Sequence, residues 1–204
     1  MVVREETHPG TGAGTQPPEF RAAVESMRAA RLRPEIFCED MAAPQRIAPY
    51  SSALSADVNV GEDEVGTGRI ILLHDPAGND AWEGTFRIVA YARAEIDLEL
   101  ITDPMLGAVG WSWLTEALDA HGAAYTAPSG TVTRVATEAF GGMAEDAGTA
   151  QLEIRASWTP TDVPDLAAHV EAWGELLCTA VGLPPVPEGV AVMPSRRGQR
   201  GTGR

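Results

Sequence analysis

Lysine is absent from this 204-residue sequence, and all 15 basic residues are arginines. This absence excludes a lysine Schiff base, a Walker-type phosphate-binding lysine and a lysine general base. Only two cysteines are present, Cys38 and Cys178, which is too few for a disulfide framework. The sequence also lacks an apolar run of about 18 residues and an apolar signal-peptide segment after Met1. Together these absences predict a reduced, cytoplasmic protein.

The motifs that mark common metal, nucleotide and hydrolase sites are missing as well. The four histidines lack the HxxxH spacing of a metal site, and no CxxC pair occurs. There is no GxSxG motif, and no GxGxxG motif opens a helix after a strand. Cys38 is followed by Glu39 and Asp40, and neighbouring anions disfavour a thiolate. We therefore expect no metal, no cofactor and no nucleophilic cysteine.

The charge is strongly acidic, with a formal net charge of −14. Phosphates would be repelled, so nucleic acid and anionic membranes are disfavoured as partners of the main body. The same charge favours solubility and a basic protein partner, or it reflects a solvated surface alone. The C-terminal stretch from Ser195, SRRGQRGTGR, reverses the sign and could contact RNA or an acidic face.

Helical periodicity predicts three helices. The first spans Glu19 to Leu32, the second follows Asp103-Pro104, and the third begins near Asp162–Pro164 and ends at Val181. Apolar alternation predicts five strands. In chain order they are ALSADVNV, RIILLHD, EGTFRIVAYARAEI, GTVTRVATEAF and AQLEIRASW. Residues 33–52 read as a long irregular loop, and Asp75–Asn79 as a turn.

The order α-β-β-β-α-β-β-α, with short turns between strands, predicts an α+β domain. We expect a five-stranded antiparallel sheet with the helices packed on one face. Residues 18–186 form this single domain. Residues 1–17 are predicted to be a disordered tail, and residues 187–204 an arginine-rich tail.

One group of residues is a candidate for acid–base chemistry. His74 and Asp75 end a predicted strand, and Glu83 follows the next turn. The alternative is structural, because aspartate opens many turns by bonding to the backbone. His121 and His169 lie beside apolar helix stripes, where a structural role is the expectation.

Polar residues alternate with the apolar ones along the predicted strands. They include Arg87, Tyr91, Arg93, Arg134 and Arg155. The first interpretation is an ion-pair lattice that faces water, since arginine and glutamate on neighbouring strands can pair. The second is a docking surface with arginine and tyrosine as anchors.

The second helix carries two tryptophans, Trp111 and Trp113, which point about 200° apart. Trp113 shares a side with Leu106 and is predicted to be core, whereas Trp111 shares the other side with Leu118. The apolar arc spans about 200°, more than one sheet covers. Either other parts of the chain cover the second side, or a second subunit packs on Trp111 and Leu118, or the helix begins at Ser112.

Several stretches resemble an actinobacterial family of uncharacterised proteins, domain-of-unknown-function family number three thousand. They include RPEIFCEDMAAPQRIAPYSSALSADV, LLHDPAGNDAWEGTFRIVAYARAEID, GWSWLTEALDAHGA and SGTVTRVATEAFGGM. The resemblance spans roughly residues 19 to 200 and implies a cytoplasmic bacterial protein. The element order is also similar to that of type III secretion chaperones, which implies a dimer that binds other polypeptides.

Two functions follow as predictions. The first is a non-enzymatic, cytoplasmic protein-binding domain, an adaptor or a chaperone-like protein that forms a homodimer. The second is a small enzyme or ligand-binding protein that uses the 33–52 loop with His74, Asp75 and Glu83.

Overall fold

A computed structural model describes residues 16–145 and 148–185 of the chain. The described part contains three α-helices and six β-strands. The helices are α1 (Pro18–Ala29), α2 (Leu106–Ala120) and α3 (Ala167–Ala180). The strands are β1 (Ile36–Met41), β2 (Tyr50–Val60), β3 (Asp63–Asn79), β4 (Gly84–Ile96), β5 (Tyr125–Thr137) and β6 (Thr149–Pro160). The predicted tails lie mainly outside the described residues.

All six strands belong to one antiparallel sheet, in the spatial order β1-β2-β3-β4-β6-β5. The first four strands follow one another as a meander. Helix α2 then connects β4 to the far edge strand β5, and β6 returns between them. The α+β class and the antiparallel sheet are confirmed.

The prediction of five strands was wrong, because β1 lies inside the segment expected to be an irregular loop. The element order is therefore α-β-β-β-β-α-β-β-α. Strand β1 pairs with β2 from Ile36 opposite Val58 to Met41 opposite Ala53. It is an edge strand in which only Ile36 is buried, so it lacks the apolar alternation that marks the other strands.

Strand β3 also runs further than expected, since the segment predicted as a turn, Asp75–Asn79, is its last part. The pairing with β4 is irregular between His74 and Asn79, and an Asp75 carboxylate oxygen accepts a hydrogen bond from the Ala77 N–H at 3.0 Å. Asp75 thus makes the local backbone bond expected of it, but within a distorted strand end.

The helices pack on one face of the sheet, which we call the helix side. Helix α3 lies on β3 and β4, α2 packs beside α3 and on β5, and α1 packs against α3. Trp173 of α3 is fully buried, and its indole N–H donates to the Tyr91 carbonyl of β4 at 3.1 Å. Ring and methyl carbons of Trp173 and Leu177 occupy the space above Gly68 of β3.

Helix α1 caps helix α3 through a side chain. The Ser26 hydroxyl oxygen accepts hydrogen bonds from the backbone N–H groups of Leu166 and Ala167, at 2.9 and 3.0 Å. It also donates to an Asp165 carboxylate oxygen at 2.9 Å. Donors at the start of a helix lack partners within that helix, so this contact fastens the first described helix to the last.

The paired tryptophans of α2 lie at the two margins of its buried side. The fully enclosed centre of that side is formed by Leu106, Gly110, Leu114, Ala117 and Leu118. Trp111 and Trp113 are both half-buried and pack against the core cluster. Trp113 is thus not the centre of the core face. The ring of Trp111 covers Gly130 of β5, and Leu118 is fully buried, so it offers no surface to a partner.

No helix within the described residues has the length and apolar character that crossing a lipid bilayer requires.

Candidate binding face of the sheet

The face of the sheet opposite the helices has a closed end and an open end. Near the turn between β3 and β4, outward-facing Leu73, Arg87 and Thr159 are buried. Thr159 donates its hydroxyl to the Trp82 carbonyl, which places that turn over the end of β6. Towards the other end of the sheet the outward side chains of β3, β4 and β6 are half-buried or exposed. We call this region the open face.

Two neighbouring rows of side chains cross the open face from strand to strand. The first row contains Ser55, Arg69, Tyr91, Arg155 and Thr131, which are successive cross-strand partners. The second row contains Asp57, Thr67, Arg93, Glu153 and Thr133. Directly opposed side chains on one face lie close enough to interact, so the register brings three arginines together around one tyrosine.

Tyr91 is held in the middle of this arrangement. The guanidinium carbon of Arg155 lies 5.4 Å from the centre of the Tyr91 ring, within the range of a cation–π contact. Arg155 also forms an ion pair with Glu153 at 2.8 Å. The pKa of Tyr91 is raised, chiefly by burial and further by the Glu153 carboxylate, so the phenol stays protonated. These contacts fix the orientation of the tyrosine ring.

Arg69 and Arg93 differ from Arg155 because their guanidiniums have no carboxylate in direct contact, although Glu153 is the cross-strand neighbour of Arg93. Both side chains are exposed, and within the described part of the chain neither guanidinium forms an ion pair or a hydrogen bond. They border a shallow groove of about 430 Å³ whose floor includes Ile71 and Val89. The open face therefore combines two unpaired cations, an oriented tyrosine and a small apolar floor.

Arg87 has a structural position at the closed end of the same side. Its guanidinium donates to the carbonyls of Ala127 and Ser157 and to the hydroxyls of Ser129, Ser157 and Thr159, at 2.8 to 3.2 Å. Ala127 has a φ of 48° and lies where the pairing of β5 with β6 is irregular. Burial lowers the pKa of Arg87. Arg87 thus fastens the irregular part of β5 and is not presented to solvent.

Arg134 points to the helix side of the sheet. It lies opposite Leu152, an inward residue of β6, and its guanidinium donates to the Asp103 carbonyl at 2.8 Å. It therefore anchors the connection between β4 and α2. Among the polar residues predicted to form a binding surface, the structure brings together Tyr91, Arg93 and Arg155, and it separates Arg87 and Arg134 from them.

The sequence reasoning missed Arg69, whose side chain completes the open face. In GTGRIILLHD the outward residues Thr67 and Arg69 alternate with Gly68 and Ile70, but glycine gives no apolar signal. The available clue was that Thr67 and Arg69 are two residues apart, which places both side chains on the same face of the strand.

The three residues proposed for acid–base chemistry do not share a site. His74 lies on the helix side, fully buried, with its ring stacked on Phe86 at 4.0 Å between centroids. Its Nδ1 is 3.0 Å from the Thr85 carbonyl, and its Nε2 is 3.5 Å from a Glu19 carboxylate oxygen. Asp75 follows on the opposite side of the strand. Glu83 is exposed in the next turn and acts electrostatically on Arg87.

His169 belongs to a buried chain of hydrogen bonds. The indole N–H of Trp158 donates to His169 Nδ1 at 3.0 Å, and His169 Nε2 lies 2.8 Å from an Asp162 carboxylate oxygen. Since Nδ1 accepts, the neutral ring carries its proton on Nε2 and donates it to Asp162. The pKa of His169 is lowered by burial, against the opposing effect of Asp162. This chain joins β6 to α3.

The described residues include a buried thiol at Cys178. Burial raises the pKa of the Cys178 thiol to about 12, so it stays protonated. Across residues 16–145 and 148–185, no group of three or more histidine, cysteine, aspartate or glutamate side chains is placed to hold a metal ion.

A family model described as protein of unknown function (DUF3000) matches residues 16–191. The chain belongs to the DUF3000 family. The match includes every described helix and strand, so the sheet and its open face lie within the DUF3000 domain. No curated protein and no solved structure matches the chain.

Proposed function

We propose that this chain is a non-enzymatic protein-binding domain, an adaptor or chaperone-like protein, whose open face binds an acidic partner. The observation that carries the proposal is the pair of unpaired guanidiniums, Arg69 and Arg93, beside Tyr91 in a chain with a net charge of −14. An interface of this kind relies on arginine and tyrosine as anchors, because both combine a large contact surface with directed hydrogen bonds.

The chemistry of the partner follows from the charges. The net charge by itself favours a basic partner, but the two open arginines favour carboxylates in front of them. A guanidinium binds a carboxylate through two parallel hydrogen bonds, so two acidic side chains of a partner can be fixed in position. The apolar floor at Ile71 and Val89 leaves room for one apolar side chain between them.

Selectivity comes from the contrast between the open face and the rest of the molecule. The acidic surface repels most acidic proteins at a distance, whereas a partner that approaches the open face meets the guanidiniums of Arg69 and Arg93. The carboxylates of Asp57, Glu95 and Glu153 lie nearby on the same face and limit this positive charge to the two arginines. Such a surface speeds correct encounters more than it raises affinity, so binding should weaken as salt rises.

The test reverses the two charges. Arg69→Glu with Arg93→Glu is compared with Arg21→Glu with Arg31→Glu, which makes the same change in net charge at exposed positions in and just after α1. Affinity capture from the native cell extract, followed by quantitative mass spectrometry, should show acidic proteins that bind the wild type and the control but not the open-face variant. Binding of a labelled glutamate- and leucine-rich peptide, measured by fluorescence anisotropy, should follow the same pattern.

Equal capture by all three proteins, together with equal peptide binding, would show that the open face is only a solvated surface. Circular dichroism melts of each variant establish that the fold is retained.

A further inference from the structure

The two edges of the sheet differ in how they are protected. Edge strand β1 has six residues and carries Glu39 and Asp40. Asp40 forms an ion pair with Arg28 at 2.9 Å, and Arg33 pairs with Glu35 just before the strand at 2.8 Å. Short length and charged residues are the devices that keep an edge strand from pairing with another chain.

Edge strand β5 carries Pro128 and an irregularity in its pairing between Thr126 and Ser129, and these devices protect only its first part. Residues 129–137 pair without interruption with residues 149–157 of β6, from Ser129 opposite Ser157 to Thr137 opposite Thr149. These nine residues are exposed apart from half-buried Val132, and Arg134 is the one charged residue among them. The Arg134 guanidinium donates a hydrogen bond to the Asp103 carbonyl on the helix side, so its charge does not protect the edge from pairing with another strand.

Within residues 16–145 and 148–185, the outer side of β5 has no strand partner. Among the described elements, β5 contacts β6 along one side, and α2 and the 3₁₀ segment Leu100–Thr102 lie against its helix side. A strand of this length leaves a row of backbone N–H and C=O groups without a strand partner. Val135 adds an exposed apolar side chain beside this row.

The occupant that fits this edge is a second copy of the same strand. When β5 is set antiparallel to itself with Thr133 at the centre, Thr133 faces Thr133, Thr131 faces Val135, and Ser129 faces Thr137. On the other face Val132 lies opposite Arg134, and Gly130 lies opposite Ala136. No like charges oppose each other, and pairs of threonine with threonine or a β-branched residue are favourable neighbours in antiparallel sheets.

The charge distribution also favours β5 as the surface for self-association. Two copies with a net charge of −14 repel each other over most of their surface, but residues 129–137 contain no acidic residue. The centred register uses all nine residues on both strands, and a pairing of this kind closes on itself through a two-fold axis.

We propose that two copies of the chain join through β5 in this register, so that two six-stranded sheets become one continuous sheet. The two-fold axis stands perpendicular to the sheet, which places both open faces on the same side. The dimer then presents two copies of the arginine and tyrosine rows side by side. This inference rests on β5 alone and stands independently of the proposed binding function.

A cysteine at the axis tests the register. In Thr133→Cys the two introduced thiols lie opposite each other, where the Cα atoms of an antiparallel pair are about 4.5–5.5 Å apart, within disulfide range. Mild oxidation should give a covalent dimer on non-reducing gels. Thr131→Cys alone should not, because the two thiols are four strand positions apart, about 13 Å. A mixture of Thr131→Cys with Val135→Cys should cross-link.

A second measurement tests the dimer without cross-linking. Sedimentation equilibrium should show a dimer for the wild type, and Thr133→Lys should weaken it by about tenfold or more, since like charges directly opposite are destabilising. Ala29→Lys adds the same charge at the exposed end of α1 and should leave the dimer intact. The wild type also serves as the control for cross-linking through the native cysteines.

A wild type that sediments as a monomer at high concentration overturns the proposal. Equal cross-linking of Thr131→Cys and Thr133→Cys overturns it as well, since that result indicates random collisions. If Thr133→Lys fails to fold, the three cysteine variants still decide the question.

Discussion

Two buried polar side chains, Arg87 and His169, are held by hydrogen bonds to several neighbouring elements. Arg87 donates to carbonyls and hydroxyls without a carboxylate in contact, and His169 is placed between Trp158 and Asp162. A buried donor or acceptor is costly when a partner is missing, so each of these residues fixes the elements around it. Arg87 holds β5 against β4 and β6, and His169 holds the start of α3.

His169 should make folding stability depend on pH. Burial lowers its pKa, so the folded protein binds fewer protons than the unfolded chain, where the imidazole titrates near 6.5. Stability therefore rises with pH through this range: the contribution is complete above pH 6.5 and is lost as the pH falls towards the folded pKa.

The measurement is the urea midpoint at about pH 7.5 and about pH 5.5, for the wild type and for His169→Gln. The wild type should lose more stability on acidification than the variant does. Parallel losses in both proteins would show that the dependence comes from other groups.

Close packing of helices on the sheet depends on small residues at the elements' contact points. Gly68 of β3 lies under α3, Gly110 of α2 lies above Val132 and Ile154, and Gly130 of β5 lies under Trp111. At Gly68 and Gly130 a Cβ atom would lie within 3 Å of a tryptophan ring carbon, so the missing side chain lets that ring approach the backbone. At Gly110 a Cβ atom would make ordinary contacts at 3.5 to 3.7 Å. The depth at which α2 and α3 sit on the sheet follows from these contacts.

Gly68→Ala should lower the free energy of unfolding by about 1–3 kcal/mol, because overfilling a packed core forces neighbours to shift. A Cβ atom at position 68 would lie 2.8 Å from a ring carbon of Trp173 and a methyl carbon of Leu177. Gly107→Ala is the matched control. Nothing lies within 4 Å of a Cβ at position 107 in α2, so this change should stabilise the protein by about 0.5–1 kcal/mol.

Chemical denaturation of both variants checks the pair. Equal stability of Gly68→Ala and the wild type would mean that α3 can move away from the sheet without lowering the free energy of unfolding.

The elements that were predicted from the sequence are those whose own residues show a clear alternation of apolar and polar side chains. The long alternation in β4 gave the inward side chains Phe86, Ile88, Ala90 and Ala92, and all four are buried. Strand β1 was missed because an edge strand buries little, and its pairing with β2 depends on a partner distant in the sequence. The extra strand could therefore not be read from residues 33–52 alone.

The candidate site was predicted in part for the same reason. Tyr91, Arg93 and Arg155 follow from alternation, but strand order decides that they meet. The paired tryptophans show the limit of a helical wheel. Helical periodicity placed Trp113 in the core, whereas the buried side is centred between the two tryptophans on Leu114 and Gly110. Strand β5 covers the Trp111 side.

At the scale of the whole molecule, charge is distributed unevenly. The net charge is −14, yet the open face displays two unpaired arginines and the β5 edge contains no acid. Self-repulsion therefore weakens the fold as a whole while it leaves these two surfaces free to make contacts.

Salt should stabilise the isolated protein. Raising NaCl from about 0.01 M to about 0.15 M shortens the screening length from about 30 Å to about 8 Å and weakens the repulsion among the excess carboxylates. The melting temperature should rise by about 2–4 °C, which corresponds to about 1 kcal/mol for a domain of this size. Choline chloride should act like NaCl because the effect is one of ionic strength. A fall in melting temperature would show instead that surface ion pairs such as Arg28–Asp40 dominate.

The hydrogen bonds from Ser26 to the start of α3 also determine when α1 can complete its packing during synthesis on the ribosome. The cap joins residues 140 positions apart, so α1 emerges long before the backbone groups that it binds. At about 5–20 residues per second, that interval lasts about 7–28 s. A helix of twelve residues is only marginally stable by itself in water. Until α3 is synthesised, Phe20, Val24 and Met27 of α1 are not covered by it. During synthesis α1 therefore stays incompletely packed until α3 has emerged, and its apolar side chains are open to chaperones for that interval.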